Sequence, residues 1–157
     1  RENIFELAPK AILVEAASPI KVDQAEIIRG KRVIVIEDGP TLTHGEMRFG
    51  AGVVAAQKFG AKEIINPREF AVGTIKDAYQ KYPHIGSLLP AMGYGKEQIK
   101  ELESTINRSN AELVIIGTPI DLSRVMKIDK KYVRVKYELQ EIGKPDLREL
   151  LVKMLSI

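Results

Sequence analysis

Apolar residues along this chain fall into short continuous runs and longer periodic stretches, and the two alternate. Residues 11–16 (AILVEA), Val33–Ile36 and the segment Glu112–Ile116 are short and mostly β-branched, the pattern of strands buried on both faces. Residues 61–66 predict a short strand broken by Pro67, and Tyr132–Tyr137 alternates as a strand with one wetter face, the pattern of a sheet edge. Between these runs the spacing is helical. Residues 1–7 form a helix end stopped by Pro9, residues 23–28 a short helix or turn, and 74–82 a helix that stops before Pro83. Lys96–Arg108 is a charged amphipathic helix, and Asp146 caps a last helix with Leu147, Leu150, Leu151 and Leu155 on one face. Thr43 and Glu46 have capping-box spacing, which predicts a helix from Gly45 to Phe59 closed by Gly60. Residues 84–95 carry glycine and proline without periodicity, and a connector of that length reads as a candidate substrate lid or as a plain turn. Strands alternating with helices predict an α/β fold, a mostly parallel Rossmann-like sheet with helices on both faces.

Composition narrows the chemistry. The chain has 157 residues, no cysteine and two histidines, His44 and His84, which removes disulfides, thiolate metal sites and histidine-rich zinc sites. Its 24 basic and 21 acidic residues are interspersed, giving a net charge of +3 without a basic arm, and there is no tryptophan. Nucleic-acid binding is therefore not expected. No apolar run approaches the roughly 20 residues of a membrane span, and no secretory signal is visible, so the expected location is the cytoplasm. Abundant Lys, Glu and Ile point to a heat-adapted source.

In open α/β sheets ligands gather at the carboxyl ends of strands. The first loop there runs from Glu37 through Gly39, Thr41, Thr43, His44 and Gly45 to Gly52. Its glycines permit close backbone approach, its threonines offer hydroxyls, and a helix start supplies N–H groups for a phosphate or carboxylate. Glu37 and Asp38 have the chemistry of a magnesium-holding pair. His44, at a helix start, is a candidate base or hydrogen-bond donor, with Asp38 as the second catalytic candidate. The structural alternative makes Gly39-Pro40 a turn, Thr43 a cap, His44 a surface residue, and Gly50 and Gly52 close packing points. The second loop, Gly117 to Leu122, offers Thr118 and Asp121, and Asp121 as a helix cap explains it equally. No G-x-x-x-x-G-K-[ST] segment and no G-x-G-x-x-G after a strand is present.

Four segments, VIVIEDGPTLTHGEM (33–47), YPHIG (82–86), LPAMGYG (89–95) and VIIGTPIDL (114–122), together resemble a prokaryotic, largely archaeal family. Its members are described as predicted P-loop GTPases related to cyclic 2,3-diphosphoglycerate synthetase. The resemblance implies that residues 1–20 are the tail of an upstream P-loop GTPase domain and residues 21–157 a carboxy-terminal α/β domain. Ser18, in EAASP, then resembles part of the loop that contacts the nucleotide base. The resemblance further implies ATP or GTP with Mg2+, bound mainly by the upstream domain, and a phosphorylated small-molecule substrate held by the loop from Asp38 to Gly52. The chain by itself is then expected to hydrolyse neither nucleotide. The other reading is a non-catalytic anion-sensing or interaction domain attached to a GTPase, and homo-oligomerisation stays open.

Overall fold

Four consecutive β-branched residues, Val33–Ile36, lose all solvent exposure in the folded chain, and the remaining strands of the larger sheet assemble around them. The structure, a computed structural model, describes residues 2–45 and 47–155. Along the chain the elements are α1 (Glu2–Leu7), β1 (Ala16–Ala17), β2 (Ile20–Val22), β3 (Arg32–Asp38), α2 (Gly39–Thr43), α3 (Ala51–Lys58) and β4 (Glu63–Ile64). There follow α4 (Gly73–Lys81), β5 (Leu89–Ala91), α5 (Lys96–Arg108), β6 (Leu113–Ile116), β7 (Tyr132–Tyr137), β8 (Gln140–Glu141) and α6 (Leu147–Leu155). They divide into two compact units, residues 20–136 and residues 1–19 with 137–157.

In the larger unit the sheet order is β2-β7-β6-β3-β4, with β5 also on β3. β3 pairs in parallel with β6 along Val33–Ile36 on one side. On its other side β4 takes the start of the strand (Arg32, Val33) and β5 takes its end (Ile36 to Asp38), both parallel. β7 runs parallel to β6 with Ile115 opposite Val133. Every residue of β6 is buried, as are Val33 to Glu37, so both faces of the sheet centre are covered. The chain leaves β3 toward β4 and later returns from β5 to β6 in the opposite direction. Right-handed crossovers therefore put α3 on one face and α5 on the other, with α4 packed beside α5. This is the mostly parallel α/β fold that the alternation predicts.

Several local expectations give way to tertiary structure. The helix expected over 45–59 is two pieces, α2 and α3, with an irregular stretch between, and Glu46 lies outside the described residues. Thr43 does not cap forward: its hydroxyl donates back to the Gly39 carbonyl at 3.0 Å, inside α2. Gly60 does close α3, at φ +75°. The lid expectation for residues 84–95 fails because its middle is β5, whose three residues are buried against β3. The segment ahead of β5 is fastened as well. The Arg68 guanidinium stacks over Tyr79, 4.4 Å from the ring centre, and donates to the Ile85 and Gly86 carbonyls, while the Tyr79 hydroxyl donates to the Leu88 carbonyl at 2.7 Å. β7 is not the edge, because β2 lies outside it.

The smaller unit contains α1, β1, β8 and α6. Of the expected first strand, residues 11–16, only Ala16 enters a strand: with Ala17 it forms β1, antiparallel to Gln140–Glu141, and Ile12 is 62% exposed. α6 forms where its leucines predict, with the Glu149 N–H donating to Asp146 at 2.7 Å as the cap requires. Neither α1 nor α6 contains a buried residue.

Candidate functional site

β3 and β6 lie side by side, yet the chain leaves them in opposite directions, β3 toward β4 and β6 toward β7. Their carboxyl ends therefore open the kind of crevice in which α/β folds place ligands. Glu37, the penultimate residue of β3, points into it and is 3% exposed. Its Oε1 accepts the Val53 N–H at 3.0 Å, and the N–H groups of Gly50 and Gly52 also donate to the carboxylate. The first turn of α3 thus spends its free donors on a side chain of the protein itself. Burial, only partly offset by these donors, raises the Glu37 pKa above 4.5, and the neighbouring Asp38 charge adds to the rise.

Glycine is required around this carboxylate for space. A Cβ at Gly117 would sit 2.4 Å from Glu37 Oε2 and 2.9 Å from the Gly52 nitrogen, and one at Gly50 would sit 2.6 Å from the same Oε2. These glycines seat Glu37 between β6 and α3. Such a carboxylate, its lone pairs taken by backbone donors, does not fit a magnesium ligand. Among the described residues no group of three or more His, Asp or Glu side chains is placed to hold a metal ion.

The other predicted residues fall as follows. Asp38, half-buried, ends β3, and Gly39 starts α2, where a Cβ would meet the Ala91 carbonyl oxygen at 2.5 Å. Thr41 lies in α2 with its side chain outside the described set, and Thr43 is buried. His44 and Gly45 follow α2 on the exposed surface, away from any helix start. Thr118 is 1% exposed just past β6, within 3.1 Å of the Tyr94 hydroxyl. Burial raises the Tyr94 pKa, the Thr118 contact opposes that, and the Asp38 charge raises it further. Asp38, at the end of β3, and Thr118, just past β6, thus both act on one phenol. Asp121 accepts from Ser123 Oγ at 2.6 Å and pairs with Arg134 Nη1 at 3.0 Å, and these contacts lower its pKa. Ser18 is exposed and belongs to the smaller unit.

One residue of this edge, Arg134, carries no local signal, whereas Tyr94 stands in the GYG segment that the sequence marks as a candidate anion contact. Arg134, on β7 opposite Ile116, also donates to the Pro119 carbonyl at 3.3 Å, and its buried Nε has no partner among the described residues. Tyr94 reaches Thr118 because β5 places the GYG segment at this end of the sheet. His84 is held elsewhere: its Nε2 lies 2.8 Å from the Leu42 carbonyl, which can only accept, so Nε2 carries the proton.

The edge therefore offers a buried carboxylate, a phenol hydrogen-bonded to a threonine, and an aspartate–arginine pair on adjacent strand ends. The chain is similar to an arginine synthetase. It is 64% identical over 151 residues to arginine synthetase ArcE of Thermococcus kodakarensis. That match takes in 96% of this chain and 34% of the relative, so the chain spans about a third of the relative's length. No family model and no solved structure matches. Among the described residues no helix is long and apolar enough to cross a membrane.

Proposed function

We propose that this chain is the α/β portion of a nucleotide-dependent synthetase that forms arginine, and that it contributes the carboxyl edge of β3 and β6 to that site. The supporting observation is the 64% identity across 96% of the chain to a protein named arginine synthetase. Asp38, Gly39, Tyr94, Thr118 and Asp121 with Arg134 are the groups assigned to ligand contact. The half-buried phenol of Tyr94, its pKa raised, stays protonated near neutrality and serves as a hydrogen-bond donor to a phosphoryl or carboxyl oxygen. Positioning and charge neutralisation are the main contributions protein groups make to phosphoryl transfer. ATP or GTP, with Mg2+, belongs in this reading to the remainder of a polypeptide of the relative's length, working in the cytoplasm.

The narrower reading, a GTPase related to cyclic 2,3-diphosphoglycerate synthetase acting on a phosphorylated small molecule, rests on the four sequence segments. Of the alternative, a non-catalytic anion-sensing or interaction domain, the interaction form is favoured by one observation, the occupation of the α3 N-terminus by Glu37, which takes the donors an anion would use. The same assay separates all three. In a polypeptide of the relative's length carrying this chain, arginine with ADP or GDP and phosphate should drive formation of the nucleoside triphosphate, the reverse of synthesis. Tyr94→Phe should lower turnover about a hundredfold or more, the order seen when one preorganised donor is lost, with the melting temperature unchanged. Turnover with diphosphoglycerate and none with arginine would select the narrower reading. Turnover indifferent to Tyr94 and Asp38 changes would leave the edge without a catalytic part.

A further inference from the structure

The opposite end of the same sheet carries a second, separate concavity. The amino ends of β3, β6 and β7 and the turn after Ile28 line an open groove of about 990 Å3. That is the upper range of small-molecule sites. Its apolar lining is Ile27, the buried Leu113 and the Tyr132 ring, which is 40% exposed.

The charges around it do not cancel. Glu112 is committed to Lys31 at 3.1 Å and to the Arg32 N–H at 3.0 Å, and these contacts hold its pKa below the ordinary value. Asp129 is committed to Lys127 at 3.4 Å and to the Asn107 amide. Arg29, Lys130 and Lys131 remain on the lining with no acidic partner among the described residues, and Glu26 is the one uncommitted acid there. Like charges gathered on one concave surface repel, and a bound anion relieves that repulsion. A flat aromatic wall beside them suits a ligand with a ring or other apolar body.

We infer that the groove at the amino ends of β3, β6 and β7 is a second ligand site, for a phosphorylated small molecule of nucleotide size whose phosphates meet Arg29, Lys130 and Lys131. The site is independent of the arginine-forming reading, since no residue of the carboxyl edge takes part in it.

The test is an amide-resolved NMR titration of the 157-residue chain with ADP, and in parallel with inorganic pyrophosphate. ADP should bind saturably and shift Gly30, Lys31, Lys131 and Tyr132, and pyrophosphate should shift the same amides more weakly because it lacks the ring. Lys130→Ser with Lys131→Ser should weaken ADP about tenfold or more, the order expected for two charge-assisted contacts, with unchanged melting. Arg29→Ser alone should give a smaller loss in the same direction. Absence of saturation at millimolar ADP, shifts confined to Gly39 and Gly117, or an affinity indifferent to all three substitutions would each overturn the proposal.

Discussion

The two units of this chain contain equally good helices and very different interiors. In residues 20–136, Val33–Glu37 of β3 and all of β6 lose all or nearly all exposure, and α5 buries Leu102, Thr105 and Ile106. Every buried hydrophobic residue, from Ile28 to Val135, belongs to that unit. In residues 1–19 with 137–157, Leu147, Leu151 and Leu155 of α6 are 42%, 53% and 81% exposed, and α1 leaves Phe5 and Leu7 open. Amphipathic periodicity thus produces a helix in both places but a core in one. The stability of the chain resides in the larger unit, and the smaller is expected to open at lower cost.

The largest test of that contrast is Ile115→Ala in the middle of β6, a residue with no exposure. It should cost about 3–4 kcal/mol in urea denaturation, the range for emptying a close-packed aliphatic site. A cost near zero would mean that the sheet centre is not where the chain is held together.

Glu37→Gln comes next, at about 1–3 kcal/mol, because one carbonyl cannot replace a carboxylate that receives several N–H groups and its amide would face donors. The pH dependence has a definite sign. The folded pKa is raised, so the stability tied to Glu37 is complete below about 4.5 and is lost as pH rises through the folded value. The stability advantage of the native chain over Glu37→Gln should therefore shrink with rising pH across that window, as followed by denaturation at several pH values. An advantage that grows instead would show that the backbone donors outweigh burial.

The smallest effect is expected at α6. Leu151→Lys and Leu155→Lys should each stay within about 0.5 kcal/mol, as for surface changes, with helicity by circular dichroism preserved. A loss of more than about 2 kcal/mol would show that α6 is buried against something, and the contrast between the units would disappear.

Much of this was legible from neighbouring residues alone. The β-branched runs of β3 and β6, the 13-residue α5 and the helix-closing Gly60 all follow from periodicity and local chemistry. So does the placement of Asp38 and Thr118 at strand ends. The run at 11–16 has the pattern of a buried strand, because periodicity does not say whether a neighbouring strand is present. The stretch 84–95 reads as a lid or a plain turn, and not as a strand, because three residues, Leu89–Ala91, are too few to show a period.

The sequence by itself determined the fold class, the central strands and the loops at which chemistry gathers, because these depend on residues within a few positions of one another. Tertiary structure decided what the loops do. Glu37 is 13 to 16 residues from the donors that hold it and 80 from Gly117, so no local pattern reports that its carboxylate caps α3. Tyr94 meets Thr118 across 24 residues, and Asp121 meets Arg134 from a different strand. Such pairings exist only once β5, β6 and β7 have taken their places around β3, where burial converts a carboxylate and a phenol from ordinary solvated groups into shifted ones.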